Sequence, residues 1–195
     1  MAKAKDQRSR KAFSMGRVTI AAVLLLLLFL IICVPGFPPD FALMGQMKKV
    51  QDQRSATELR TAIENFYSEY GVLPRVSSVE PGHDAMITTR ASDGLLPQLM
   101  GNNPGEILFF SEPTAKAEGK TGLWYPDGDT SQVTLRGNWG EPFVVFLDTN
   151  GDNLLLVPSR TVAGDWETIE KRAAVVSTGP DKMIGGDEND DIYAY

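Results

Sequence analysis

Apolar and polar positions along the 195 residues fall into three successive patterns. The first is a run of seventeen uncharged residues at 18–34, VTIAAVLLLLLFLIICV, apolar on every helical face. It would make about 26 Å of helix at ~1.5 Å per residue, close to a hydrocarbon core of roughly 30 Å, and it predicts a transmembrane helix. Pro35-Gly-Phe-Pro-Pro39 then breaks or kinks that helix, because proline lacks an amide donor and clashes with the preceding turn. The second pattern starts at Asp40, placed as an N-cap. Phe41, Met44, Met47, Val50, Leu59, Ile63, Phe66 and Tyr70 recur at three- and four-residue spacing around a polar middle at 52–55. This predicts one long amphipathic helix over residues 40–70, ended by Gly71 and, further on, Pro74.

The third pattern is one of short β-type runs between Gly, Pro, Asn and Asp clusters, at 107–110, 133–135, 143–147, 154–157 and 173–176. Residues 75–105 read as a connecting region with one short helix near 95–100, and residues 111–130 as exposed loop. The expected fold class is α+β: a membrane helix, then a long amphipathic helix packed on a small antiparallel sheet. The segments are a leader at 1–17, the span at 18–34, the break at 35–39 and a folded domain at 40–195 whose acidic tail is 177–195.

Charge adds an orientation. Lys3, Lys5, Arg8, Arg10, Lys11 and Arg17 against Asp6 give the leader +5, which leaves −11 for the rest of a chain whose total is −6. Positive-inside bias places Met1 in the cytoplasm and the domain outside, as a single-pass protein. A body that acidic repels phosphate backbones, which excludes nucleic acid as a partner and favours cations. The single cysteine, Cys33, excludes an intrachain disulfide and a thiolate zinc site. It also imitates a lipoprotein signal, but Ile32 stands where that signal needs a small residue. His83 is the one histidine and has no nucleophile signature around it. Neither a phosphate loop nor zinc spacing appears, so no enzyme and no small-molecule substrate are expected. Trp124, Trp139 and Trp166 read as core or turn-packing aromatics.

Two stretches could hold a hard cation. The tail gathers Asp181, Asp187, Glu188, Asp190 and Asp191 among glycines and closes on Ile192, Tyr193 and Tyr195. A solvated acidic loop and a loop folded around Ca²⁺ both fit those residues, since calcium takes six to eight oxygen ligands from carboxylates, hydroxyls and carbonyls. The second, Asp148-Thr-Asn-Gly-Asp-Asn153, copies half of an EF-hand loop through Asp148, Asn150 and Asp152. Asn153 stands at its glycine position and Ser159 at its final glutamate, so a plain hairpin turn is the preferred reading. Asp84 lies outside both stretches.

Four places together resemble the type IV pilin-like superfamily, and most closely the major pseudopilin of type II secretion. They are the basic leader with its apolar run, the stretch Ala56-Thr-Glu-Leu-Arg-Thr-Ala-Ile-Glu-Asn-Phe-Tyr-Ser-Glu-Tyr-Gly-Val-Leu-Pro74, the turn Asn138-Trp-Gly-Glu-Pro-Phe143, and the tail. The turn is similar to the family's Trp-Gly-Asn-Pro-Tyr, with Glu141 and Phe143 substituted. Ser177-Thr-Gly-Pro-Asp181 and Asp190-Asp-Ile192 resemble the family's calcium loop, and Tyr195 stands where that loop has Trp. In the leader, Gly16 matches the peptidase glycine, whereas Arg17 and Ala21 stand where an apolar first residue and a glutamate are usual.

The resemblance implies a structural subunit or accessory of a type II secretion pseudopilus or related filament. It would be held in the inner membrane with its domain in the periplasm, among other pilin-like subunits and secretion-system proteins. The implied Ca²⁺ ligands are Asp181 and Asp191 first and Ser177 and Asp187 next, with Asp190 left to face water. An anchor that stays uncleaved, and a non-assembling interaction protein built on the same domain, follow from the altered leader.

Overall fold

The computed structural model describes residues 41–77, 83–185 and 190–195. The chain divides into two compact units, Met1–Leu43 and Met44–Tyr195, and the architecture below is that of the second. The predicted leader, membrane run and proline break lie outside the described residues. Among the described residues no helix is long and apolar enough to cross a membrane.

The long helical pattern forms α1, Phe41–Tyr70. Gly71 closes it, its amide donating to the Tyr67 carbonyl at 2.8 Å. Ala56, Leu59, Ala62, Ile63 and Phe66 are buried at helical spacing and make one stripe. Met44, Met47 and Val50, which the periodicity assigned to the same apolar face, are instead more than half exposed. The core-facing part of α1 therefore begins at Asp52, not at its first turn.

Among the described residues eight antiparallel strands follow. β1 is Ala85–Thr88, β2 Gly122–Trp124, β3 Thr134–Arg136 and β4 Val144–Leu147. β5 is Leu155–Pro158, β6 Trp166–Ile169, β7 Ala173–Ser177 and β8 Ile192–Ala194. The main sheet has the order β1-β4-β7-β8, while β2 pairs with β3 and β5 with β6 as separate ribbons. A short helix α2, Leu95–Leu99, buries its three leucines against α1's side of the sheet.

The main sheet is covered on both faces, which is why β4 and β7 are buried at every position instead of alternating. Val145, Leu147, Ala173 and Val175 join the α1 stripe, α2, and Leu123 and Leu135 of the β2–β3 ribbon in one core. Val144, Phe146, Ala174 and Val176 join Leu155 and Val157 of the β5–β6 ribbon in the other.

Several sequence expectations need correction. Residues 107–110 form only an isolated bridge between Leu108 and Met100, not a strand. The connecting region holds β1 and the expected loop at 111–130 holds β2, two strands too short and too interrupted to show a period. Residues 148–153 are not a hairpin turn either: β4 pairs with β1 and β7, β5 pairs with β6, and the segment carries the chain from one sheet to the other.

Two buried polar residues join these layers. Thr89 bonds β3 and β4 at once, its Oγ1 donating to Leu135 O (2.7 Å) and accepting from Phe143 N (3.0 Å). Asp52 is 1% exposed on the core side of α1. Its Oδ1 accepts from the Asn138 amide (2.8 Å) and Asn138 Nδ2 (2.7 Å), and its Oδ2 from Ser177 Oγ (2.8 Å). Gly137 lets the turn come this close, because a Cβ there would lie 2.5 Å from Asp52 Oδ2.

Asp52→Ala would strand three donors away from water at about 1–3 kcal/mol each. A loss of at least ~3 kcal/mol is expected in denaturant titration. For a domain of this size that is roughly 6–12 °C in Tm. Asp52→Asn keeps one acceptor oxygen and lets the Ser177 hydroxyl reverse its role, so it should retain more than half of the stability that alanine loses. Equal losses for both variants would show that the side chain acts by volume alone.

Candidate metal centre

The acidic tail leaves β7 at Ser177 and returns as β8 against the same strand, with Val175, Val176 and Ser177 opposite Ala194, Tyr193 and Ile192. The return is tight. Gly179 has φ +62°, and a Cβ on it would stand 2.7 Å from the Asp190 carbonyl and 2.9 Å from Asp190 Oδ2. Within the tail, Asp190 Oδ2 accepts from the Asp181 amide (3.2 Å) and Asp181 Oδ1 from the Met183 amide (2.8 Å). Asp191 Oδ2 accepts from the Gly185 amide (2.7 Å) and from the Tyr193 hydroxyl (3.4 Å).

The structure thus draws Asp181, Asp190 and Asp191 into mutual influence. Asp190, expected to face water, is buried, at 9% exposure. That position is corrected to an inward one, because β8 pairing draws Asp190, two residues before the strand, under the Gly179 turn. Ser177 is buried and its hydroxyl is committed to Asp52, so it serves α1 and not the tail's carboxylates. Asp187 lies outside the described residues.

Two oxygens in this cluster, Asp190 Oδ1 and Asp191 Oδ1, are buried without a hydrogen-bond partner among the described residues. Buried acceptors are ordinarily satisfied, so each of these oxygens calls for a donor, a proton or a cation. Burial first, and then the charges of Asp190 and Asp181, push the Asp191 carboxyl up to about 6 against the pull of the Gly185 amide.

The tail's end is pinned by aromatics, as the sequence suggested. The Tyr193 hydroxyl donates to Ser159 O (3.1 Å) and the Tyr195 hydroxyl to Glu167 Oε1 (2.7 Å). The Arg160 guanidinium lies over the Tyr195 ring at 3.8 Å from its centroid. The Tyr195 hydroxyl and the Arg160 amide hold Glu167 below the usual carboxylate range. Burial and that same carboxylate push Tyr195 up to about 12.

A second acidic group forms where sequence reading missed a member. Carboxylate oxygens of Asp84, Asp148 and Asp152 lie within 4.8 Å of one another. Asp84 stands just before β1, and β1–β4 pairing brings it beside the residue that follows β4. Nothing local in the sequence links positions 84 and 148. Asp148 is buried, yet both of its oxygens already accept amides, from Gly151 (2.7 Å) and Asn153 (2.8 Å). Burial, then Asp148 and Asp152, raise the Asp84 carboxyl above its ordinary value. Of the two groups, only this one brings three carboxylates within 4.8 Å of one another, whereas the tail is the one with buried carboxylate oxygens that have no hydrogen-bond partner among the described residues.

Without a cation, the charged Asp191 is a cost to the folded state. Its folded pKa of about 6 lies above the ordinary 3.8, so the native state binds the proton more tightly. Stability of the metal-free protein should therefore rise as pH falls from 7 through 6 towards 4. Melts in EDTA at pH 7, 6 and 5 should show this rise, and Asp191→Asn should flatten it relative to the parent chain.

Compared with known proteins, the chain matches no family model, no curated protein and no solved structure, so its function is argued from the residues and geometry above.

Proposed function

We propose that the chain is a membrane-anchored structural subunit or accessory of a type II secretion pseudopilus or related pilin-like filament, with a calcium-stabilised C-terminal loop. The observation that carries the reading is the two buried oxygens on Asp190 and Asp191 that have no hydrogen-bond partner among the described residues, with Asp181 near enough to act on Asp191. They lie in the segment whose sequence resembles the family's calcium loop. A long helix packed on an antiparallel sheet is the architecture that such a subunit needs. The exposed Met44, Met47 and Val50 on α1 give an assembly apolar surface to cover.

Asp181, Asp190 and Asp191 would hold the ion, and the ion would supply the positive charge that these crowded carboxylates lack. Its role is structural: it fixes the tail against β7 and removes the penalty on ionised Asp191. The altered leader, with Arg17 and Ala21, favours a second form of the proposal. In it, an uncleaved, non-assembling anchor presents the same domain to a periplasmic partner.

Calcium titration with thermal melts tests the loop. At about a hundred times Kd the stabilisation is roughly 2.7 kcal/mol, or some 5–11 °C for a domain of this size, reversed by EDTA. Asp181→Ala and Asp191→Ala should remove the gain, while Asp152→Ala and the exposed Glu118→Ala should keep it. A melt unaffected by EDTA and by added Ca²⁺ means a solvated acidic tail. Protease added outside spheroplasts should digest nearly all of the chain, and full protection would reverse the proposed topology.

A further inference from the structure

An open groove of about 800 Å³ runs between α1 and β8, with Lys49, Val50 and Arg60 on the helix side and Ile192, Tyr193 and Ala194 on the strand side. From residue 49 to residue 60 α1 advances about 16 Å at ~1.5 Å per residue. From residue 191 to residue 195 an extended chain advances about 13 Å at ~3.3 Å per residue. The two walls thus come close in length, and the space between them suits about five residues of extended chain.

The strand side is the edge of the main sheet, because β8 pairs with β7 alone. Its Tyr193 carbonyl accepts from Gln53 Nε2 at 2.8 Å, from an exposed helical position across the groove, so an added peptide would take over a bond that this side chain now makes. An edge of this kind is the ordinary place for an extended peptide to add by main-chain hydrogen bonds.

The charge of the groove runs against that of the protein. Lys49, Arg60 and Arg160 line it with one carboxylate, Asp191, although the chain as a whole carries −6. Arg60 Nη1 forms an ion pair with Glu64 Oε1 at 3.6 Å, while Arg60 Nε is buried with no hydrogen-bond acceptor among the described residues. Glu64 thus satisfies one side of the guanidinium and leaves its Nε–H, in a residue that lines an open groove, for a second acceptor such as an incoming carboxylate.

We propose that this groove binds an extended acidic segment of a partner protein, laid along β8 with one carboxylate on Arg60 and another near Lys49. Apolar residues of the segment rest on Val50 and the Tyr193 ring between those charges. The inference stands on the groove and does not require the secretion reading or a bound cation.

The test is fluorescence anisotropy of a labelled Glu-Val-Glu-Val-Glu-Val peptide titrated with the full chain in detergent at low ionic strength. The reversed-charge Lys-Val-Lys-Val-Lys-Val peptide serves as the comparison. The acidic peptide should bind at least roughly tenfold more tightly than the basic one, an advantage that salt removes. Arg60→Ala and the exposed Lys49→Glu should each weaken it several-fold with circular dichroism unchanged. N-methylation of alternate peptide amides should weaken it too, since main-chain pairing is part of the fit. Equal binding of both peptides, indifference to Lys49→Glu, or equally effective competition by succinate at the same concentration would overturn the proposal. The last outcome would mark a simple anion site instead of a peptide groove.

Discussion

One buried carboxylate, Asp52, ties together parts of the chain that lie far apart in sequence. It lies on α1, its partners lie 86 and 125 residues further on, and it receives three hydrogen bonds without a basic residue among its donors. A charge in a core is tolerated only when its lone pairs are filled, so the Asn138 turn and the end of β7 must both be in place before α1 can seat. Asp52 therefore sets the register of the helix against the sheet more sharply than its apolar neighbours do. Leucine and isoleucine can slide into adjacent gaps, whereas three directed bonds fit a single position.

The tail depends on that seating. Ser177 is at once the last residue of β7, a donor to Asp52 and the position opposite Ile192 in β8. Once β7 is fixed, pairing with β8 carries Asp190 and Asp191 inward and stretches the acidic segment across a turn in which Gly179 leaves no room for a side chain. The crowding of carboxylates is a consequence of backbone pairing, and the orphaned oxygens are what pairing leaves behind. The same strand also forms one wall of the groove, so the tail's conformation and the groove's shape are coupled through β8.

Much of the fold can be read along the chain. α1 and its stop at Gly71 follow from a 3.6-residue period and a glycine, and α2 from a short leucine cluster. β4, β5 and β7 are visible as apolar runs because each is buried where it lies, β4 and β7 on both faces. β1, β2, β6 and β8 are not: three or four residues with exposed or half-buried positions carry no period, and they are strands only because a partner strand supplies hydrogen bonds. For the candidate site, the acids and the pinning tyrosines were legible, while the inward turn of Asp190 and the diversion of Ser177 to Asp52 were not.

What the sequence determined by itself is therefore local: an amphipathic helix, the central strands, and an acidic tail that ends in aromatics. These rest on periodicity and residue chemistry within a few positions of one another. Tertiary structure decided the rest, because it depends on pairs far apart in the chain. Antiparallel pairing of β1 with β4 brought Asp84 to Asp148, pairing of β7 with β8 buried Asp190, and the helix-to-turn bonds of Asp52 put a carboxylate where an apolar residue would ordinarily stand. A carboxylate's identity is written at its own position, but whether it meets water, an amide or another carboxylate is set by which strand the backbone pairs with.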